Sequence, residues 1–354
     1  MIRANFQNNF PESLKQKKGF VIKMKKSTIK KLAMVILGII LLLPLTSCLK
    51  QAEKDKPVHV IMVNALNGHP VYEQQAKAAK KAAEDYGVNL EITGPVKGCT
   101  NVLDEYIKSF ESAIAAKPDA IICEPFEPAV YEYAKKAFDA GIPVFCTSAG
   151  TDNPDYYISC CGTDNTQYGI DAADCVAEKT DGKANILVVM TSNNNVEQTK
   201  QFNALKDRIA EKYPNMHIVT NVEDNADEKQ ATEVIGKSFK DYPEIDTVIM
   251  LEATGGPIAA DVSKELGKDI LILDIDSGEK TISNIINGTE WASMVQNFYK
   301  RGYETVKMAN EYVKSGGKTK FEKFVNSSVT LITKENASKC DELLWSQINA
   351  NDKK

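Results

Sequence analysis

PVHVIMVNALNGHPVYEQQAKAAKKAAEDYG, residues 57–87, decides the fold. Val58, Val60, Ile61, Met62 and Val63 form a short apolar, partly β-branched run, the pattern of a strand buried on both faces. Asn64, Asn67, Gly68 and Pro70 then crowd into a few positions, so the strand ends in a turn. Tyr72, Ala76, Ala79, Ala83 and Tyr86 follow at steps of four and three, one face of a helix, and Gly87 stands where a C-cap is expected. A strand, a polar loop and a helix make the first βα unit of an open sheet. Ligands of such sheets bind beyond the carboxyl ends of the strands, which makes Asn67 and His69 in the loop candidate binding residues.

The same rhythm continues. Apolar strand patterns are expected at 90–93, 118–123, 142–146 and 156–161, with helices at 102–116 and 129–140. After a helix over 170–180 it restarts, with strands at 184–190, 217–222, 247–251 and 269–273 and a last clear one at 291–295. Helices are expected at 200–213, 227–241, 280–287 and from about 258 to Gly267. Strand and helix alternate, so the fold class is α/β with parallel sheets, and the restart makes two similar Rossmann-like lobes. A length of 354 residues agrees with two domains.

Charge and cysteines narrow the function. Met24 opens a basic segment, and 32–45 is a 14-residue uncharged apolar run, too short for an ordinary membrane-spanning helix. It ends in Leu45-Thr-Ser-Cys48, which resembles a bacterial lipoprotein cleavage box. The expected organisation is an upstream extension over 1–23, a signal peptide over 24–47, lipid on Cys48 and a tether over 48–56. Two acyl chains there would anchor the protein stably to the membrane. Formal charge is −5 for the whole chain and −13 without residues 1–47, which argues against binding nucleic acid. Seven cysteines follow Cys48, an odd number that cannot all pair within one chain. Cys123 and Cys146 end apolar strands and are expected as buried thiols; pairing of Cys99 or Cys340 stays open.

From Val58 to about Val329 the order of elements resembles the type I periplasmic sugar-binding proteins, the ribose- and galactose-binding group. The resemblance is carried by Ala115-Ala-Lys-Pro-Asp-Ala-Ile-Ile before Glu124-Pro, by Ala140-Gly-Ile-Pro-Val, and by Val295-Gln-Asn-Phe-Tyr-Lys-Arg-Gly-Tyr303. It implies two lobes joined by a three-crossing hinge, one of 57–163 plus 297–325 and the other of 164–296 plus 326–354. The crossings fall near Thr163, Gln296 and Phe324. It also implies a monomer without cofactor that binds a sugar or polyol and hands it to an ABC permease. The alternative is a sugar sensor that presents its ligand to a chemoreceptor or histidine-kinase ectodomain.

A sugar needs polar partners for its hydroxyls and an aromatic wall for its C–H faces. Asp276 follows a strand where the family commonly places a ligand aspartate, although a helix N-cap role competes. Gln296 matches the family's hinge glutamine. Glu124 and Glu252 each follow an apolar strand, one in each lobe. By alignment with the ribose-binding members, Ser148 stands for an aspartate, Gln198 for an arginine and Asn225 for an aromatic. Tyr72 has the aromatic position at the start of the first helix. Phe126 is a possible aromatic lip, Trp291 is expected to pack, and Asp274 would face the same side as Asp276 on an extended strand end. No metal site is expected from these spacings. The absence of G-x-S-x-G, P-loop and HExxH motifs argues against an enzyme.

Overall fold

The structure is a computed structural model and describes residues 56–147 and 154–349. The expected leader, the Cys48 tether and Ser148 lie outside the described residues.

Two six-stranded sheets carry the fold. The first contains β1 (His59–Val63), β2 (Asn89–Thr93), β3 (Ala120–Cys123), β4 (Val144–Cys146), β5 (Ser159–Gly162) and β11 (Phe324–Asn326) in the order β11-β5-β4-β3-β1-β2. Every pairing within it is parallel. The second contains β6 (Lys183–Met190), β7 (Asn215–Glu223), β8 (Thr247–Met250), β9 (Leu271–Ile275), β10 (Ala292–Gln296) and β12 (Val329–Thr333) in the order β12-β10-β9-β8-β6-β7. It too is parallel, except that β12 runs antiparallel to β10. The central strands β3 and β8 are buried at every residue, as sequences that are apolar apart from Thr247 require.

Helices cover both faces: α1 (Pro70–Tyr86), α2 (Val102–Ala116) and α3 (Pro128–Asp139) follow the early strands, and α4 (Asn165–Lys179), α5 (Val196–Lys212), α6 (Glu228–Asp241), α7 (Gly255–Glu265) and α8 (Glu279–Asn287) follow the later ones. Their starts have local causes. Asn101, Asp164, Asn195 and Asp227 each accept a backbone N–H from the first turn of α2, α4, α5 and α6. Two of these capped starts lie ahead of the sequence expectation, α4 by five residues and α5 by four. The expected strand from 156 is shorter, because Pro154–Tyr156 forms a 3-10 turn before β5.

The chain passes between sheets after Gly162, after Gln296 and between Asn326 and Val329. After β10 it enters α9 (Phe298–Lys314), which lies directly on α1. Gly302 permits this approach: a Cβ there would sit 2.1 Å from the Gln75 carbonyl oxygen. Gly169 does the same for α4 against α5, with the Gln201 carbonyl oxygen at 2.1 Å. The last helix, α10 (Cys340–Asn349), buries Leu344 and Ile348 in a cluster with Ala78, Ile285, Tyr299 and Ile332. It therefore packs on elements of both sheets.

The cysteine expectation is corrected. Cys146 and Cys160 form a disulfide. The reason is register: Cys146 is the cross-strand partner of Cys160 on β5 and also of Cys123 on β3. Cys123, Cys161 and Cys340 are buried thiols.

Candidate functional site: an interlobe cleft

The two sheets send their strand ends into one cavity of about 230 Å³. From the first sheet come Leu66, His69 and Tyr72 after β1 and Glu124 after β3. From the second come Thr191 after β6, Ala226 after β7, Glu252 after β8 and Asp276 after β9. Gln296 ends β10 at a crossing, and Phe298 and Arg301 follow it on α9. Across the cleft, Gln74 of α1 donates to Ser277 Oγ at 2.9 Å, a direct bond between the lobes.

Glu124 is 3% exposed. Its carboxylate accepts from Tyr72 Oη at 3.0 Å and Thr147 Oγ1 at 3.3 Å, and its backbone N–H donates to Tyr106 Oη at 2.7 Å. Burial raises its pKa to about 7, against the downward pull of Arg301. Asp276 has φ 62°, a left-handed conformation that aspartate tolerates, and it precedes the Gly278 cap of α8 without serving as that cap. Its Oδ1 accepts from Gln296 Nε2 at 3.2 Å. Burial raises its pKa to about 6, again against Arg301.

Glu252 accepts the backbone N–H groups of Thr254 at 2.8 Å and Gly255 at 2.5 Å, at the start of α7. Behind it Asp224 is fully buried. Burial raises the pKa of both carboxyls, and the nearby Asp224 raises that of Glu252 further.

Arg301 is 1% exposed and spans the hinge. One Nη donates to Thr163 Oγ1 at 2.8 Å and to Gln296 Oε1 at 2.5 Å, joining two of the crossings. The neighbouring Lys300 Nζ donates to the Asn326 carbonyl at 2.9 Å, at the third. The Arg301 guanidinium lies 4.1 Å over the Phe298 ring, which meets Tyr72 edge-on with centroids 5.8 Å apart. Tyr72 and Phe298 are thus an aromatic wall with a cation behind it.

Seven sequence candidates line the cavity: His69, Tyr72, Glu124, Gln198, Glu252, Asp276 and Gln296. Three do not join them. Asn67 is used within its own loop, donating to the Gly94 carbonyl at 3.1 Å and accepting from Asn64. Asn225 adopts φ 54° and donates to Gln230 Oε1, so the turn takes its side chain out of the lining. Ser148 lies outside the described residues. Phe126 packs edge-on against Tyr106 at 5.1 Å instead of forming a lip. Trp291 packs against the second sheet's core with Lys179 over its ring. Asp274 does not face the side of Asp276, because the left-handed residue breaks the extended backbone that the period of two assumes; Thr281 and the Ile275 N–H hold it in the core.

Glu197, Gln201, Phe298 and Arg301 were not foreseen. Arg301 is one of only three arginines in the chain and lies within the motif quoted for the hinge, a signal that was available. Glu197 and Gln201 depended on where α5 begins. His69 is held neutral, its pKa lowered by burial and by Lys97. Among the described residues, no group of three or more His, Cys, Asp or Glu side chains is poised to hold a metal ion. A larger groove of about 820 Å³ lies at the amino ends of the second sheet's strands, near Lys183, Leu271 and Trp291. It collects few strand-end loops, and the smaller cleft is where the topology of an open sheet places a ligand.

Residues 60–319 match the periplasmic binding protein domain. The chain belongs to that family. The solved structures it resembles include GanP, a glucose-galactose binding protein from Geobacillus stearothermophilus. That protein is 26% identical, with a TM-score of 0.73 over 80% of this chain and 99% of its own. A sugar ABC transporter sugar-binding protein from Bacillus halodurans is 23% identical, with a TM-score of 0.71 over 80% and 99% of the two chains, and shows the shared fold. XylFII in the XylFII–LytSN complex is 25% identical, with a TM-score of 0.69 over 79% and 99%.

Proposed function

We propose that the protein captures one small sugar or related polyol in its interlobe cleft, outside the cytoplasm, and delivers it to an ABC importer. The observation that carries this reading is the convergence of buried carboxyls from both sheets on one cavity with an aromatic wall. Carboxylates accept hydroxyl hydrogens in charge-assisted bonds, and a ring face covers C–H groups. A volume of about 230 Å³ suits a solute smaller than a drug-sized ligand, a single sugar unit and not a chain of them. The disulfide supports an oxidising compartment, in keeping with an export signal and a lipid on Cys48. Solute touching both lobes favours the closed arrangement because only there are both sets of contacts made.

A second reading keeps the capture step and replaces the importer with a receptor ectodomain; the likeness to XylFII, solved in a complex with LytSN, supports it. Loss of uptake of the bound sugar on deleting the gene favours the importer, and unchanged uptake favours the receptor. The capture step itself is tested by a melting-point screen of monosaccharides and polyols on the purified protein. One compound raises the melting temperature and Asp276→Ala abolishes the rise. An undiminished rise in that variant removes Asp276 from the site.

A further inference from the structure

We propose that Gln201 of α5 is a specificity-determining residue of this cleft, accepting a hydrogen bond from one hydroxyl of the solute through its Oε1. The inference rests on the sugar-capture reading and deepens it by one named contact.

The sequence resemblance points to Gln198 as the residue of α5 that meets the solute. In the structure both ends of that amide are engaged by the loop after β6. Gln198 Oε1 accepts the Thr191 N–H at 2.8 Å, and its Nε2 donates to Thr191 Oγ1 at 3.1 Å. Gln201 stands three residues further along α5, on the same face, and also lines the cavity. It is 2% exposed. Its Nε2 donates to Asn165 Oδ1 at 2.8 Å, and its Oε1 has no hydrogen-bond partner among the described residues. A buried acceptor without a partner is costly, so it calls for a group that the protein itself does not supply. Asn165 Nδ2 is likewise unpartnered, but Asn165 does not line the cavity, so of the two only Gln201 reaches the solute.

The amide is also held in place before any solute arrives. Asn165 is the first residue of α4, and the Gln201 carbonyl lies against Gly169 of the same helix, where a Cβ would come within 2.1 Å of it. A side chain fixed by two packed helices does not have to be ordered on binding, which lets one hydrogen bond discriminate. A solute hydroxyl placed at Oε1 donates to it. A deoxy position there leaves Oε1 unpaired in a closed cleft, which selects against that analogue. A carboxamide does not titrate, so this contact persists across the pH range in which Glu124 and Asp276 change charge.

The test is calorimetric titration with glucose, galactose, mannose, arabinose and their alditols, followed by every singly deoxygenated analogue of the compound that binds best. Each is measured on the wild type, Gln201→Met and Gln198→Met. At one hydroxyl position the wild type is expected to favour the parent over its deoxy analogue by at least ~10-fold more than Gln201→Met does. Gln198→Met is expected to keep that preference. The ratio compares two compounds on one protein, so a variant that is partly unfolded does not change it, and a merely structural role for Gln201 would weaken all analogues alike. Equal ratios in the wild type and Gln201→Met at every position overturn the assignment and leave the sugar reading standing. A preference lost in Gln198→Met and kept in Gln201→Met also overturns it, because the contact then belongs to Gln198. Binding of none of these compounds by the wild type overturns the sugar reading, and the Gln201 assignment with it.

Discussion

Glu124 shows what the cleft costs the protein before any solute arrives. Its ordinary pKa of 4.5 rises to about 7, first because of burial. The folded protein therefore holds a proton that the unfolded chain releases between those values. The stability this contributes is fully present below pH 4.5 and is lost as pH rises through 7, a loss on the order of 3 kcal/mol. Asp276, raised from 3.8 to about 6, adds in the same direction. The solute-free protein is expected to melt at progressively lower temperature from pH 5 to pH 8. Glu124→Gln, which removes the buried charge, is expected to flatten that slope and to melt above wild type at pH 8. Scanning calorimetry of the two proteins across that range decides it; equal slopes mean that Glu124 is not the group responsible. At this scale the sequence carried much of the site, because a polar residue directly after an all-apolar strand has few places to go. Glu124 and Glu252 were found that way, and Asp276 through the family resemblance. Asn225 was misplaced because a left-handed backbone turned it aside, and no neighbouring residue announces that turn.

Among the elements, the paired helices α1 and α9 depend on one missing side chain. Alanine in place of glycine at an exposed helical site gains up to about 1 kcal/mol from backbone propensity. At Gly302 the new Cβ would meet the Gln75 carbonyl at 2.1 Å, and pushing two packed helices apart costs roughly 1–3 kcal/mol. Crowding wins, so Gly302→Ala is expected to lower the urea midpoint; an unchanged or higher midpoint refutes the close approach. The Cys146–Cys160 disulfide spans 14 residues, and closing a loop of that size contributes about 3 kcal/mol. Reduction is expected to lower the melting temperature, and identical melts with and without reductant would contradict the pairing. The strand and helix order was legible because apolar runs and helical stripes are local patterns. The pairing of Cys146 with Cys160 was not, since it follows from which strands become neighbours. β12 escaped notice for a related reason: only Ile332 of its five residues is buried, and it borrows its order from β10. The early start of α5 was hidden among Asn193, Asn194 and Asn195, of which only the last is the cap.

At the scale of the whole molecule, the hinge and the site share residues. Arg301 lines the cavity and also joins the Thr163 and Gln296 crossings, while Lys300 holds the third. Asn297, directly after the Gln296 crossing, donates to the Leu344 carbonyl at 2.9 Å and so ties the final helix to the hinge. A solute that draws on Asp276 or Gln296 acts on the group that sets how the lobes meet, which gives closure a physical route. The two-lobe architecture was legible from the restarted strand-helix rhythm, but this coupling was not, because its Arg301–Thr163 bond joins residues 138 positions apart and the rest depend on how the crossings meet. The most direct measurement is a crystal structure grown with the compound that the melting-point screen selects. Density for one solute in the cleft is predicted, with polar atoms within about 3.2 Å of carboxyl oxygens from Glu124 of the first lobe and Asp276 of the second. Density that touches one lobe alone, or that occupies the groove beside Trp291 instead, would contradict the account.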